Sequence, residues 1–165
     1  MGSFQPDQFD LAILEVVQED GALSHREIGE RVNLSAASVH RRIRRLEDEN
    51  FITSNVAVVD PAKVGRPIAI VVEVRVESEK LRLLDGTRRR FRDHPDVQQC
   101  YYVTGEADFV LVVNVASMDH YDALTRELFH GDPNVTRFRS LVVMNKVKVG
   151  LGTPVRPIGN EKSPA

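Results

Sequence analysis

LSAASVHRRIRRLEDEN, residues 34–50, is the stretch that decides the fold of the N-terminal part of this chain. Ser35 supplies an N-cap oxygen, and no Gly or Pro interrupts the following residues, so a helix is predicted over residues 35–49. At about 3.6 residues per turn, Val39, Ile43 and Leu46 share a narrow arc that must face a core. The opposite side carries small residues first and arginines after them, namely Ala37, Ser38, Arg41, Arg44 and Arg45.

Two further helices are predicted before this one. Phe9 and Ile13 begin a run with helical spacing. Ser24 and Glu27 form a capping-box pattern, and the helix that they open is expected to end at Asn33, a residue that tolerates the left-handed conformation. Three helices in this order, with a short turn before the last, have the spacing of a helix-turn-helix.

The third helix is predicted to enter the major groove of DNA. Small residues let its first turn approach the bases, and arginine can bind guanine or phosphate in bidentate fashion. We expect Ser38 and Arg41 near base edges, and the other arginines on phosphates. The alternative is a solvated basic face that pairs with the acidic residues 47–49. The predicted DNA-binding residues are Ser35, Ala37, Ser38, His40, Arg41, Arg42, Arg44 and Arg45.

Beyond residue 56 the pattern changes to β-branched runs that alternate with helical ones. Strands are predicted over residues 68–76, 97–103, 109–115 and 135–149, with one helix ending before Pro95 and another before Gly131. The order β-α-β-β-α-β predicts an α+β, ferredoxin-like αβ-sandwich with one antiparallel sheet and helices on one face. The predicted domains are a winged helix-turn-helix at 4–53, a linker strand at 54–66, the αβ-sandwich at 67–152 and a disordered tail at 153–165.

Composition excludes several classes of protein. The net charge of −2 over 165 residues argues against bulk coating of nucleic acid, yet four of the six arginines in the first 60 residues lie between positions 41 and 45. A single cysteine, Cys100, rules out an intramolecular disulfide and predicts a reducing, cytoplasmic environment. No apolar run has the length of a membrane span, so no membrane partner is expected.

Residues with catalytic or metal-binding chemistry do not form a recognised pattern. The five histidines lack metal-ligand spacing, so neither a metal nor another cofactor is expected. Glu106 and Asp108 lie in one turn without a nearby base or nucleophile. Cys100 has no histidine at motif distance and is expected to be a small core residue. We therefore predict that the protein is not an enzyme.

The ordered motifs resemble the leucine-responsive/asparagine-responsive (Lrp/AsnC, feast/famine) transcription regulators over residues 9–149. The resemblance implies a winged helix-turn-helix followed by an αβ-sandwich for ligand binding and oligomerisation. Its N-terminal motifs are Asp20-Gly21, Ser24-x-x-Glu27-Ile28, Leu34-Ser35-x-x-Ser38-Val39-His40-Arg41-Arg42-Ile43-x-x-Leu46-Glu47, Phe51-Ile52 and Asp60-Pro61-x-x-Val64-Gly65. The motif of the second half is Cys100-Tyr101-x-Val103-Thr104-Gly105-Glu106-x-Asp108-Phe109.

The chain departs from the family at several positions. Asn33 and Asn50 stand where family members often have glycine, and Ala22 replaces a basic residue. Phe138 and Arg139 lie in a stretch that is often rich in threonine. We expect this last change to narrow or recharge the effector pocket.

The resemblance also implies an effector site and an assembly. The loop at residues 104–108 matches the family's amino-acid site, with Gly105 expected to approach a carboxylate and Glu106 or Asp108 to accept from an ammonium group. The full predicted set is Tyr101, Tyr102, Thr104, Gly105, Glu106, Ala107, Asp108 and Ser140. The apolar residues 56–59 are expected to pair in a homodimer, which the family often extends to an octamer.

Three functions compete at this stage. The first is a sequence-specific transcription regulator that binds double-stranded DNA and responds to a small effector, expected to be an amino acid. The second is a ferredoxin-like metabolite-sensing or enzymatic module whose helical part serves only assembly. The third is an architectural protein that bends DNA with little sequence preference.

Overall fold

The computed structural model describes residues 4–78 and 80–155, which divide into two units. The first unit consists of residues up to Ala57 together with the segment from Val149 onward, and the second runs from Val58 to Lys148. None of the described helices has the length and apolar character needed to cross a membrane.

The first unit contains the three predicted helices, α1 (Gln8–Glu19), α2 (His25–Val32) and α3 (Ala36–Asp48). Each has a side-chain N-cap, because Asp7, Ser24 and Ser35 accept hydrogen bonds from backbone N–H groups of the first turns. The predicted capping box at α2 is confirmed. The core consists of the apolar stripes of the three helices, namely Ile13, Leu14, Ile28, Val32, Val39 and Leu46.

The turn residues of this unit have the predicted conformations. Asn33 and Asn50 lie in the left-handed region, with φ of 56° and 60°. Gly29 of α2 lies where a Cβ atom would come within 2.4 Å of the Leu34 carbonyl oxygen. Because Gly29 has no side chain, the α2–α3 turn packs directly against the backbone of α2, which brings the two helices close together.

The second unit is the predicted βαββαβ sandwich. Its elements are β1 (Ile68–Val76), α4 (Leu81–Asp93), β2 (Val97–Tyr102), β3 (Phe109–Val115), α5 (Met118–Thr125) and β4 (Val135–Val142), and a π-helical turn (Arg126–His130) extends α5. The sheet order is β2-β3-β1-β4 with every pair antiparallel. The ferredoxin-like fold class is confirmed.

One face of this sheet is covered and the other is open. Val72 of β1 and Leu111 of β3 are fully buried against Phe91 of α4 and Phe129 of the π-helical turn. Because successive residues of a strand point to opposite faces, Glu73 and its alternate neighbours lie on the uncovered face.

Two predicted boundaries were wrong. The last strand ends at Val142 rather than 149, because its partner β1 begins at Ile68 and is preceded by Pro67, which has no N–H to donate. The disordered tail was predicted from residue 153, but Thr153 exchanges two hydrogen bonds with the Gln18 side chain and Val155 packs on the first unit's core. The rest of the predicted tail, residues 156–165, lies outside the described residues.

The predicted linker strand has no strand partner among residues 4–78 and 80–155. Residues 54–60 have no assigned secondary structure, and residues 61–65 form a turn in which Ala62 N–H donates to Asp60 Oδ1. A strand needs a ladder partner, and the described residues supply none to this segment. Val58 is accordingly 96% exposed.

Candidate DNA-binding surface and effector groove

The outer side of α3 carries the two arginines that remain available to a ligand. Arg41 and Arg44 are exposed, and neither forms an ion pair within the described part of the chain. Ala37 lies one turn before Arg41 on the same side, and Ser38 is close to the N-cap, where its N–H binds Ser35 Oγ. This surface, residues 35, 37, 38, 41 and 44, is hereafter the α3 ridge.

Arg42 is not on the α3 ridge, contrary to its predicted phosphate contact. Its guanidinium donates to Asp7 and to Asp10 over 2.7 Å each, and its side chain is only 18% exposed. The predicted position was wrong because the pattern of α3 alone does not show that the N-terminus of α1 lies beside it with two carboxylates.

Arg45 contacts the α1 side of the helix but also remains partly exposed to solvent. It donates to the second oxygen of Asp10 over 2.7 Å and its guanidinium lies 4.4 Å from the ring centre of Phe4, yet 46% of its side chain is exposed. Asp10 is fully buried, and each of its two carboxylate oxygens accepts a hydrogen bond from an α3 arginine. These contacts fix α3 against α1.

The contacts of this cluster shift the pKa values of Asp7 and Arg42. Partial burial by itself would raise the pKa of Asp7, but the Asp10 N–H and the Arg42 guanidinium outweigh it and hold that pKa below the ordinary 3.8. The hydrogen bonds to Asp10 and Asp7 raise the pKa of Arg42. The ion pair between Asp7 and Arg42 is therefore fully formed at neutral pH.

His40 lies beside α2 rather than on the α3 ridge itself. Its ring is exposed, with its centre 5.0 Å from that of His25 at the start of α2. Both rings are therefore at the edge of the predicted DNA-binding surface.

The predicted effector loop connects β2 to β3. Gly105 has φ of +122°, a conformation that side chains disfavour, and no atom lies within 4 Å of the position where a Cβ would stand. Thr104 and Glu106 are exposed, and Ala107 is half-buried. The loop therefore presents open backbone and one exposed carboxylate, that of Glu106, which lies 3.6 Å from Arg75.

Asp108 already has backbone partners. Its Oδ2 accepts from Val76 N–H over 2.8 Å, and its own N–H donates to the Val74 carbonyl over 2.9 Å. It thus closes the end of the β1–β3 pairing. Of the two acids named for an ammonium group, Glu106 is the one whose carboxylate is 95% exposed.

Three other predicted effector residues are separated by the sheet. Tyr101 pairs with Val110 and lies on the open face, whereas Tyr102 pairs with Phe109 and lies on the helix face beside Arg88. Ser140 was expected to neighbour the loop. Because β1 stands between β3 and β4, Ser140 lies instead opposite Val72, where its hydroxyl bonds to that of Tyr121 over 2.6 Å.

The structure shows a groove next to the predicted effector loop that sequence reasoning missed. It is a cavity of ≈ 90 Å³ on the open face of the sheet, bounded by the loop and by β1 and β4. Its charged residues are Glu73, Arg75, Glu106, Arg137 and Arg139. The signal available in the sequence was the alternation of charged with apolar residues at 73–76 and 137–139, which is typical of a half-exposed strand.

The ring of Phe138 does not lie on the open face of the sheet. Its ring packs on that of Phe129, with centres 4.6 Å apart, which is the helix side of the sheet. Arg139, the other departure from the family pattern, does reach the groove, where it is paired with Glu73. This stretch therefore contributes the charged side chain of Arg139 to the groove, whereas the ring of Phe138 packs on the helix side.

Outside these two surfaces, Asp96 and Cys100 have contacts within the second unit. Asp96 binds Arg66 and lies 2.7 Å from His120 Nε2, and so joins the start of β1, the turn before β2 and helix α5. Burial raises the pKa of the Cys100 thiol, which packs against the sandwich core. Across residues 4–78 and 80–155, no three metal-ligating side chains are grouped to hold a metal ion.

Comparison with known proteins agrees with this architecture. The Lrp/AsnC ligand binding domain matches residues 69–151, and a winged helix-turn-helix DNA-binding family matches residues 6–53. An uncharacterized HTH-type transcriptional regulator of Sinorhizobium fredii is 35% identical over 149 residues, 90% of this chain and 88% of that protein. The leucine-responsive regulatory protein of Escherichia coli is 30% identical over 142 residues, 86% of this chain and 87% of that protein.

A solved structure has the same fold over most of both chains. The transcriptional regulator of Neisseria meningitidis in complex with L-Met superposes with a TM-score of 0.85 at 27% identity, over 90% of this chain and 96% of that one. The fold and both matched domains define a DNA-binding transcription regulator with a ligand-binding domain. The chain belongs to the Lrp/AsnC family.

Proposed function

We propose that the protein regulates transcription by binding a specific operator through the α3 ridge. The observation that carries this proposal is the contrast among the four clustered arginines: Arg42 and Arg45 bind Asp10, whereas Arg41 and Arg44 are exposed without an ion pair among the described residues. Arg41 and Ser38, near the start of the helix, read base edges. Arg44, farther along, binds phosphate.

The test is a DNA-binding titration with the protein's own upstream DNA at several salt concentrations. Arg41→Ala should cost about 1–3 kcal/mol on the operator and relax preference at one base pair. Arg44→Ala should weaken all sequences alike and lower the slope of log affinity against log salt by about 0.9. Arg92→Ala, an exposed arginine of α4 paired with Asp93, is the control.

Unchanged operator affinity in both α3 variants would contradict the assignment. The ratio of operator to random-DNA affinity addresses the architectural alternative, because a protein that only bends DNA shows little preference. A purely enzymatic or metabolite-sensing module would give no salt-dependent DNA binding at all. The Lrp/AsnC family consists of transcription regulators, which favours a protein that is not an enzyme. We further propose that the protein acts in the cytoplasm.

We further propose that a small effector, an amino acid, binds at the loop of residues 104–108. The backbone around Gly105 is open, Glu106 offers an uncommitted oxygen, and the similar Neisseria meningitidis regulator was solved with L-Met. Calorimetry against the twenty amino acids tests the proposal. Gly105→Thr should abolish binding, since its φ of +122° is strained for any side chain. Binding that survives this substitution would place the effector elsewhere.

The same proposal includes self-association. A single recognition helix reads too few base pairs to select a site in a genome, so a homodimer with two half-sites is required. The exposed valines of residues 56–59 are the segment offered for pairing, and assembly to an octamer is the further step implied by the family. Binding of the effector and the number of subunits in the assembly are then linked through the second unit.

A further inference from the structure

The first unit is built from two separate pieces of the chain. Residues up to Ala57 supply its helices, and the chain returns to it at Val149 after completing the second unit. The returning segment, residues 149–155, is hereafter the strap. Thr153 of the strap precedes Pro154, which favours an extended backbone at Thr153. Its N–H and C=O groups are therefore available to a partner from elsewhere in the unit.

The partner is the side chain of Gln18, near the end of α1. Its Oε1 accepts from Thr153 N–H over 2.7 Å, and its Nε2 donates to the Thr153 carbonyl over 3.1 Å. One side-chain amide, which has both a donor and an acceptor, thus satisfies both backbone groups of one strap residue. Two residues further on, Val155 packs on the apolar core of the same unit.

The outgoing connection is anchored beside the returning one. Asn55 Nδ2 donates to the Gly21 carbonyl over 3.2 Å, and a Cβ on Gly21 would come within 2.7 Å of Asn55 Oδ1. Asn55 therefore packs directly on the backbone of the turn that follows α1. Both pieces of chain that connect this unit to the second one are thus held at residues 18–21.

Helix α1 joins this anchor to the recognition helix. Asp10, in the first turn of α1, binds Arg42 and Arg45 of α3, whereas Gln18 lies in the last turn of α1. The helix has 12 residues, contains neither Gly nor Pro, and is about 18 Å long. Because its backbone is hydrogen-bonded from end to end, a shift at its C-terminal end also moves Asp10.

The strap has few buried contacts. Both of its hydrogen bonds to Gln18 are exposed to solvent, where such bonds contribute little net free energy. Val149 and Leu151 are 70% and 81% exposed, so that within residues 149–155 only Val155 packs on the core. A segment with so little burial opens locally at a lower free-energy cost than global unfolding.

We propose that the strap opens and closes on α1, and that its closure holds α3 in the orientation that binds DNA. This inference rests on the proposed operator binding through the α3 ridge and adds a regulatory element to it. Opening removes the support at Gln18 and loosens the contacts of Asp10 with α3. Because the strap continues directly from the second unit, displacement of the C-terminal end of that unit opens it.

The test compares two variants of the full-length protein in titrations with its own upstream DNA. Gln18→Ala removes both strap hydrogen bonds from an exposed position of α1. It should weaken DNA binding about 3- to 10-fold, which corresponds to the net contribution of roughly one hydrogen bond. Thr153→Ala is the matched control, because the strap bonds use only the backbone of Thr153, and its affinity should equal that of the parent protein.

Two further measurements separate strap closure from general stability. The helix content by circular dichroism, at the temperature of the titration, should be the same in the parent protein and both variants, so that lost affinity does not reflect unfolding. Hydrogen exchange of the parent protein should show a Thr153 amide that opens more readily than the whole protein unfolds. Gln18→Ala should speed exchange at Thr153 and in α1 and leave the second unit unchanged.

Several results would overturn the inference. They are an unchanged DNA affinity in Gln18→Ala, an equal loss in Thr153→Ala, a Thr153 amide that exchanges only through global unfolding, or a reduced helix content in Gln18→Ala, which would make the strap a fixed part of the fold. If the parent protein binds its upstream DNA and Gln18→Ala binds equally well, the strap is not a regulatory element and the regulator function stands. If the parent protein does not bind, the proposed function itself is wrong.

Discussion

At the scale of single residues, Asp10 determines which arginines of α3 are held in ion pairs. It lies in the first turn of α1, is fully buried, and binds both Arg42 and Arg45. Removal of one partner from a buried ion pair leaves unpaired charge in a poorly solvated position. The orientation of the α3 ridge therefore depends on a buried carboxylate that is not itself part of the ridge.

We expect Asp10→Ala to lower the free energy of unfolding by about 3 kcal/mol, because two guanidinium groups lose their partner. The matched control is Glu30→Ala, which removes an exposed ion pair with Arg26 and should cost about 1 kcal/mol or less. Urea denaturation monitored by circular dichroism measures both. Equal losses in the two variants would show that the cluster is not a stabilising feature.

The lowered pKa of Asp7 predicts a pH dependence of stability. Since its pKa is below 3.8 in the folded state, its contribution is complete above 3.8 and is lost as the pH falls through the folded pKa. Asp7→Asn keeps an N-cap side chain but removes the charge. We expect this variant to be less stable than the parent at pH 7, with the difference shrinking towards pH 3. A difference independent of pH in urea denaturation would refute this expectation.

At the scale of elements, two helical glycines predict opposite responses to the same change. A Cβ on Gly29 would come within 2.4 Å of a backbone oxygen in the α2–α3 turn, whereas a Cβ on Gly86 of α4 would meet nothing within 4 Å. The first glycine is required by packing and the second only weakens its helix.

Gly29→Ala should therefore destabilise the protein by about 1–3 kcal/mol through overpacking. Gly86→Ala should stabilise it by about 0.5–1 kcal/mol, since alanine restricts the unfolded chain and favours the helix. Thermal unfolding of the two variants beside the parent protein is sufficient. A stabilising Gly29→Ala would mean that α2 and α3 can separate without cost.

At the scale of the whole molecule, the exposed apolar linker predicts self-association. Val56 and Val58 are 71% and 96% exposed. Adjacent exposed apolar side chains are typical of a surface that another protein chain covers. We expect the protein to be at least a dimer at micromolar concentration. Val58→Glu should shift the mass towards the monomer, and Leu83→Glu, at a partly exposed position of α4, should not. A monomeric parent protein in light scattering would contradict the prediction.

The sequence by itself determined several features that depend on neighbours within one helical turn or one strand. The N-caps at Ser24 and Ser35, the left-handed Asn33 and Asn50, and the order of helices and strands all follow from contacts across three or four residues and from the period of apolar side chains. These features were predictable because their hydrogen bonds join groups that the chain itself keeps adjacent.

Only the tertiary structure decided which distant groups meet. Arg42 binds Asp10, which is 32 positions away in the sequence, and Ser140 is separated from the predicted effector loop because β1 lies between their strands. The charged groove arises in the same way, because register sets Arg137 opposite Arg75. Such pairings depend on how whole faces pack and align, and the energy that selects them comes from burial spread over many residues, so no local pattern contains them.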